Sequence, residues 1–190
     1  MNIAGVVLAG GQSSRFGRPK MFEPLHDVPL YQYSLQSLKE NQLSRYIIAT
    51  NDDLLPFFQP DEQLTFLIEK TKHQGPLFVL HELLQTFKEI DWFFLIAADM
   101  PYMTADFVQK MLHEIDESYD AIIPKQHERI QPLAGLYHRK ILEKTAELIA
   151  QERRSMKALL DLIHVHYIPF SDNERVFTNI NYEQDLPKGD

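Results

Sequence analysis

The sequence predicts an α/β fold in which helices cover both faces of a mostly parallel β-sheet. Short apolar runs rich in Val and Ile alternate with segments of helical periodicity, which is typical of such sheets. The run Trp92–Ala98 is apolar throughout, as expected of a strand buried on both faces. In the second half, segments 120–124 and 132–137 are joined by only a short polar link, which indicates an antiparallel strand. These features predict a Rossmann-like, three-layer α/β/α architecture.

The other elements follow in order from local patterns and capping residues. Short β-branched or aromatic runs predict further strands at 3–9, 46–50, 64–69, 164–170 and 176–180. Apolar residues at helical spacing predict helices at 30–41, 76–87, 105–115, 140–151 and 155–163. Pro76 suits the first turn of its helix, and Thr104 suits an N-cap. Asn51 can cap a short segment at 54–58, and Asn181 can cap a final turn at 182–186.

The composition excludes several functional classes. The 190 residues fit a single domain, 1–190, and their formal net charge of −8 argues against nucleic-acid and anionic-membrane binding. The chain has no cysteine, so a disulfide framework and a cysteine nucleophile are excluded. The longest apolar run, Trp92–Ala98, is far too short to span a membrane, and no positively charged region precedes the first apolar stretch. We therefore expect a cytoplasmic protein.

A glycine turn follows the first predicted strand and is the first candidate binding site. Gly10 and Gly11 allow backbone to approach a ligand closely, and free N–H groups in such a turn can hold an anion. Arg15 and Lys20 add two positive charges, so the stretch predicts a polyphosphate site. It is not a P-loop, because five residues rather than four separate Gly11 from Gly17. The simpler alternative is a strand-to-loop turn with surface charges.

Asp99 follows the most apolar strand, so it lies at the same sheet edge as the glycine turn. A carboxylate that faces a bound triphosphate can bind Mg²⁺, which is held by one or two carboxylates together with substrate phosphates. Pro101 fixes the turn that follows. The alternative is a capping aspartate, but Thr104 is better placed to cap the next helix.

The first two motifs carry a resemblance to a known family. The opening motif reads Leu8-Ala9-Gly10-Gly11-x-Ser13-x-Arg15-Phe16-Gly17-x-Pro19-Lys20, and the second motif is Asp99-Met100-Pro101. Both resemble motifs of the nucleotidyltransferases that activate sugars and cofactors. Within that group they are most similar to those of the molybdenum cofactor guanylyltransferases. The resemblance implies GMP transfer from GTP to the phosphate of molybdopterin, with release of pyrophosphate. It implies that the nucleotide is bound by Leu8, Ala9, Gly10, Gly11, Arg15, Lys20 and Asp99. The last three would also be catalytic, with Mg²⁺ as cofactor at Asp99.

Three later segments extend the resemblance over nearly the whole chain and imply an acceptor site. They are Gln131-Pro132-Leu133-Ala134-Gly135, Glu152-Arg153-Arg154-Ser155 and Asn179-Ile180-Asn181. The implied acceptor-binding residues are Gln131, Arg153, Asn179 and Asn181. Each also has an ordinary structural interpretation, such as a residue leading into a strand, a solvated surface arginine or a helix cap. The implied partners include proteins that deliver the pterin or mature molybdoenzymes.

One departure from the family concerns the nucleobase. The acidic residue that usually follows the third strand is replaced by Lys70, and a lysine cannot accept the N–H groups of guanine. Glu69 or a backbone carbonyl would then have to do so. Two other functions stay open: a cytidylyl or sugar-phosphate nucleotidyltransferase of the same fold, and a nucleotide-binding adaptor that has lost catalysis. His164 and His166 share a strand face, but without a third ligand they do not predict a metal site.

Overall fold

A computed structural model of the protein describes residues 1–11, 19–71, 74–180 and 185. The strands are β1 Ile3–Leu8, β2 Pro24–Leu25, β3 Val28–Pro29, β4 Arg45–Thr50, β5 Leu64–Ile68, β6 Trp92–Ala97, β7 Ala121–Gln126, β8 Arg129–Ile130, β9 Ala134–His138 and β10 Val165–Phe170. The α-helices are α1 Leu30–Lys39, α2 Pro76–Thr86, α3 Ala105–His113, α4 Leu142–Ala150 and α5 Met156–Leu160. Single turns of 3-10 helix lie at Lys20–Phe22, Leu55–Phe57, Arg139–Ile141 and Arg175–Phe177.

The main sheet is mostly parallel, as the sequence predicts. Its strands run in the order β10-β7-β9-β6-β1-β4-β5, with β8 paired to β7. β1 pairs in parallel with β4 and β6, so Leu8 lies between Ala49 and Ala97 at the carboxyl ends of the three strands. β9 is antiparallel to both of its neighbours, which confirms the antiparallel strand predicted for the second half. β2 and β3 form a separate hairpin.

Helices cover both faces of the main sheet. Residues of β6 alternate between two cores: Trp92, Phe94 and Ile96 face the core that includes α1 and α3, whereas Phe93 and Leu95 face the core of α2, α4 and α5. All six residues of β6 are buried, which explains why the strand reads as a continuous apolar run. The three-layer prediction is therefore confirmed. Among the described residues, no helix has the length and hydrophobicity needed to cross a bilayer.

The helix starts follow the capping signals in the sequence. The Thr104 side chain accepts a hydrogen bond from the Phe107 N–H at the start of α3, and Ser155 caps α5 in the same way. Gly75 precedes α2 with φ 90°, a conformation that favours glycine, and Pro76 occupies the first turn. α2 therefore begins at the carboxyl edge of the sheet, close to where β5 ends.

The segment 176–180 is not a strand, contrary to the sequence prediction. Arg175–Phe177 forms a 3-10 turn, and the chain then runs without regular structure to Ile180. The apolar side chains of this segment are buried at the end of the sheet, and the Ile180 N–H donates to the Asp99 carbonyl rather than to a neighbouring strand. Burial therefore explains the apolar pattern without a strand. Asn181 and nearly all of the predicted turn 182–186 lie outside the described residues.

Candidate active site

Polar residues gather at the carboxyl edge of the sheet because four parallel strands end there. Gly10 and Gly11 follow β1, Asn51 follows β4, Glu69 follows β5 and Asp99 comes two residues after β6. A cavity of about 410 Å³ opens between these strand ends and the start of α2. Its walls are formed by Leu8, Gly10, Gly11, Lys20, Met21, Ala49, Glu69, Gly75, Pro76, Val79, Ala97, Ala98, Asp99, Leu133 and Asn179.

Gly10 is in close contact with the Glu69 carboxylate. A Cβ atom at Gly10 would lie 1.7 Å from Glu69 Oε1, so no larger residue fits while Glu69 keeps this position. A Cβ atom at Gly11 would meet nothing within 4 Å, because Gly11 faces open space in the cavity. Neither glycine has a positive φ, so the glycine turn depends on close approach and not on left-handed backbone.

Thr50 and Asn51 hold the glycine turn in place. The Thr50 hydroxyl donates to the Ala9 carbonyl at 3.1 Å, and the Asn51 Nδ2 donates to the Gly10 carbonyl at 3.5 Å. The Asn51 Oδ1 accepts from the Asp53 and Leu54 N–H groups, so this buried side chain also fixes the turn that follows β4. The Gly10 backbone is therefore anchored to the adjacent strand.

Lys20 and Asp99 form an ion pair on the opposite wall of the cavity. The Lys20 Nζ lies 2.5 Å from Asp99 Oδ2 and 3.0 Å from the Ile180 carbonyl. The Asn179 Nδ2 lies 3.4 Å from Asp99 Oδ1, so both carboxylate oxygens have a donor. The two charged side chains are only 20% and 14% exposed. The segment 179–180 is therefore bonded directly to both charged residues.

Glu69 is the second acidic group of the cavity, and its surroundings differ from those of Asp99. The residue is 6% exposed, and no described residue donates a hydrogen bond to its carboxylate. Burial raises the pKa of the Glu69 carboxyl, and the nearby Glu82 carboxylate raises it further. Lys70, the next residue, is exposed and lies outside the cavity wall. The structure thus turns Glu69, and not Lys70, toward the glycine turn.

Comparisons with known proteins agree with this geometry. Residues 5–167 match the MobA-like NTP transferase domain. The chain belongs to the MobA-like NTP transferase family. A relative from Geobacillus sp. (strain WCH70), named "Probable molybdenum cofactor guanylyltransferase", is 35% identical over 184 residues, which cover 94% of this chain and 93% of the relative. The chain is therefore an enzyme, a nucleotidyltransferase.

Solved structures show how widely this MobA-like fold is shared. Molybdopterin-guanine dinucleotide biosynthesis protein A from Archaeoglobus fulgidus superposes with a TM-score of 0.76 at 22% identity, covering 96% of this chain and 94% of that one. The 4-diphosphocytidyl-2C-methyl-D-erythritol synthase from Anaerococcus prevotii superposes with a TM-score of 0.78 at 11% identity, covering 97% and 92%. At these identities the likeness shows the fold alone, and it does not separate a guanylyl from a cytidylyl enzyme.

The MobA-like fold brings most of the predicted nucleotide-binding residues to one cavity. Leu8, Gly10, Gly11, Lys20 and Asp99 all line it. Ala9, by contrast, is buried in the core behind the glycine turn and is not part of the cavity wall. Arg15 lies outside the described residues, so its predicted contact with phosphate stays a prediction.

The predicted acceptor residues are not all brought together. Gln131 and Asn179 line a second, polar cavity of about 760 Å³, and Asn179 lines the first cavity as well. Arg153 is exposed on the loop between α4 and α5 and lines neither cavity, because its backbone N–H closes the end of α4 on the Leu148 carbonyl. Asn181 lies outside the described residues. Arg129 and Arg175, which the sequence did not single out, line the second cavity instead.

Two further polar residues beside the glycine turn were not assigned to the site from the sequence. Asn51 was interpreted only as a cap, although it also bonds to the Gly10 carbonyl. Glu69 was one of two alternatives for base recognition, and its contact with Gly10 gives it the better position. Both are polar residues directly after an apolar parallel strand, the same signal that singled out Asp99. A search for polar residues directly after each predicted parallel strand would have identified Asn51 and Glu69.

Proposed function

We propose that this enzyme transfers GMP from GTP to the phosphate of molybdopterin and releases pyrophosphate. The observation that carries this proposal is the Glu69 carboxylate, a buried acceptor beside Gly10, in the same cavity as the Lys20–Asp99 pair. One end of the cavity thus offers an acceptor for a base, and the other offers charges for a polyphosphate. Membership of the MobA-like family and the names of the curated relatives support the same substrates.

Guanine fits the base end because it presents two neighbouring donors. Its N1–H and N2–H₂ groups point the same way, and an ionised carboxylate accepts from both. Adenine presents an acceptor at N1 and cytosine one at N3, so either base would place a lone pair against the Glu69 charge. In this proposal Glu69 takes the place of the acidic residue that Lys70 replaces, and discriminates guanine from the other bases.

The phosphate end fits a triphosphate with a divalent cation. Lys20 supplies a cation for phosphate oxygens, and Asp99 supplies a carboxylate at the edge of the sheet. Mg²⁺ prefers such oxygen ligands, together with substrate phosphates, so Asp99 and the amide oxygen of Asn179 would hold it. When bound there, the cation neutralises charge on the transferring phosphate. The predicted role of Arg15 in the same charge neutralisation is part of this proposal.

The reaction needs positioning more than acid–base catalysis. A phosphate monoester has its second pKa near ~6, so the acceptor phosphate is largely ionised at neutral pH and needs no general base. Its oxygen attacks the α-phosphorus of GTP, a new P–O bond forms, and the bond to the bridging oxygen breaks. Pyrophosphate leaves with that oxygen. The protein's task is to bring two anions together in line and to offset their repulsion.

The second cavity is the proposed site for the pterin. Asn179, which is bonded to the Asp99 carboxylate, lines both this cavity and the nucleotide cavity, and this supports an approach of the acceptor phosphate from this side. Its walls carry the donors and acceptors that a pterin ring requires, including Gln131, Arg129 and Arg175. In the cell, proteins that deliver the pterin or receive the product would dock near this opening. Arg153 has no assigned contact in this arrangement.

Nucleotide binding and transfer test the proposal directly. We expect GTP with Mg²⁺ to raise the melting temperature more than CTP, ATP or UTP does. We expect Asp99→Asn to lower pyrophosphate release by a factor of about 10² or more, because a charge at the reacting phosphate is lost. Asp161→Asn removes the same charge from an exposed site directly after α5 and serves as the control.

Other outcomes would point elsewhere. A larger shift with CTP would indicate a cytidylyl enzyme, and stabilisation by a nucleotide without pyrophosphate release would favour the nucleotide-binding adaptor. Turnover of Asp99→Asn within threefold of the Asp161→Asn rate would refute the assigned role of Asp99.

A further inference from the structure

One wall of the second cavity is an exposed turn that follows β10. The turn comprises residues 171–174, and three of its residues line the cavity: Asp172, Asn173 and Glu174. All four residues of the turn are exposed, so the burial of apolar side chains does not fix their position. The shape of this wall therefore depends on hydrogen bonds.

The Gln126 side chain, at the end of β7, holds the turn. Its Nε2 atom lies 2.9 Å from the Ser171 carbonyl oxygen, 3.3 Å from that of Asp172 and 3.0 Å from that of Glu174. Carbonyl oxygens only accept hydrogen bonds, so the nitrogen of the Gln126 amide, and not its oxygen, faces the turn. In the described part of the chain, no other side chain donates to these three carbonyls.

The sheet topology places Gln126 next to the turn. β7 and β10 are parallel, and Gln126 is paired with Phe170, the last residue of β10. Both strands therefore end at the same edge of the sheet, where the chain leaves β10 for the turn. The Glu174 N–H donates to the Ser171 carbonyl at 3.0 Å and closes the turn itself. The Gln126 amide thus ties a closed turn to a regular strand.

The chain beyond the turn is held by different contacts. Val176, Phe177 and Ile180 are buried. The Ile180 N–H also donates to the Asp99 carbonyl at 3.0 Å. These contacts fix the segment beside the nucleotide cavity without any bond to Gln126. We therefore expect that losing the Gln126 amide would change the wall of the second cavity and leave the nucleotide cavity intact.

We propose that Gln126 is a positioning residue for the acceptor, because its amide holds the turn 171–174 in the shape that molybdopterin binds. The inference rests on the proposed function, which places the pterin in the second cavity. A turn that is already ordered does not have to be ordered by the ligand, so binding avoids that entropic cost. Without the amide, only the fraction of molecules with the turn in place binds the acceptor, and the apparent affinity falls by that fraction.

Gln126→Met tests the proposal, because methionine is unbranched, of similar length and without a donor. We expect the KM for molybdopterin to rise about tenfold, while kcat and the GTP dissociation constant stay within about twofold of the wild type. In the ligand-free protein, we expect the Glu174 N–H to exchange with deuterium about tenfold faster, as measured by NMR. Gln126→Lys keeps donors for the carbonyls and should restore slow exchange.

Gln109→Met is the matched control. It makes the same change at an exposed position of α3, outside both cavities. We expect its KM for molybdopterin and its exchange at Glu174 to equal those of the wild type. A merely structural role for Gln126 would lower the melting temperature and reduce kcat and GTP affinity as well, and that result would overturn the inference.

The possible failures can be told apart. A KM for molybdopterin within about threefold of the wild type in Gln126→Met overturns the inference. A raised KM with wild-type exchange at Glu174 also overturns it, because the amide would then act on the ligand directly, and so does fast exchange that persists in Gln126→Lys. These outcomes leave the proposed function standing. A wild-type enzyme that forms no product from GTP and molybdopterin overturns the proposed function, and the inference for Gln126 falls with it.

Discussion

Gly10 offers a direct test of the proposed base site, because a methyl group added at this position would displace the Glu69 carboxylate. In Gly10→Ala the new methyl group would lie 1.7 Å from Glu69 Oε1 and 2.9 Å from Glu69 Cδ. A carbon and an oxygen need about 3.3 Å, so the carboxylate must move by about 1.6 Å. It lies at the end of a flexible side chain, so the fold should survive while the carboxylate leaves its position.

Two effects of Gly10→Ala have separate magnitudes. Overpacking of this kind costs about 1–3 kcal/mol, which at about 3 °C per kcal/mol for a chain of this length lowers the melting temperature by roughly 3–9 °C. Loss of the contact between guanine and the Glu69 carboxylate should cost about 1.5–3 kcal/mol, or roughly 10- to 150-fold in the preference for GTP over ATP. The ratio of dissociation constants, measured by calorimetry, reports the second effect alone.

Gly11→Ala is the matched control, because its methyl group meets no protein atom within 4 Å. We expect its melting temperature to stay close to that of the wild type. The methyl group occupies space in the cavity, so affinity for GTP and ATP should fall together while their ratio is preserved. If Gly10→Ala kept the wild-type ratio, or if Gly11→Ala lost it equally, the argument from the Gly10–Glu69 contact would be refuted.

Two other predictions follow from the charges of the site. Lys20→Met should weaken nucleotide binding but tighten Mn²⁺ binding in the absence of nucleotide, because Asp99 loses its cationic partner. Electron paramagnetic resonance of free Mn²⁺ measures this affinity. A weaker or unchanged affinity for Mn²⁺ would contradict the prediction. Glu69→Gln should make the ligand-free protein more stable to urea at neutral and alkaline pH. Because the folded-state pKa of Glu69 is raised, its contribution to stability is fully present below the unfolded pKa and is lost as the pH rises through the folded pKa. The difference from the wild type should therefore disappear in acid.

The sequence predicted the sheet and the position of the site because both depend on local patterns. Continuous apolar runs such as Trp92–Ala98 identify parallel strands, and the carboxyl ends of such strands meet at one edge. Asp99 follows such a strand, and it lines the same cavity as Lys20. The sequence alone could not decide between Glu69 and a backbone carbonyl as the acceptor for guanine, because adjacent residues at a strand end point in opposite directions and the pattern does not show which of them faces the site.

Other features depend on long-range packing, which sequence patterns do not report. A strand at 176–180 would require a free neighbouring strand, but this segment crosses the end of the sheet and bonds to the Asp99 carbonyl. Arg153 looks like an anion-binding residue at a helix start, yet the turn that ends α4 leaves it exposed and away from both cavities.

The Lys20–Asp99 pair explains why nucleotide and metal should bind together. The Lys20 charge is compensated by Asp99 and by the Ile180 carbonyl, so neither charged group can bind a ligand without breaking a partly buried contact. Removing only one partner from such a pair is unfavourable, because the other charge is left in a low-dielectric place. A triphosphate that arrives with its cation supplies an anion for Lys20 and a cation for Asp99 in one exchange. The segment 179–180 bonds to both residues, so the same exchange changes the contacts of Asn179, which also lines the second cavity, the proposed pterin site. We therefore expect the acceptor to bind more tightly after the nucleotide than before it.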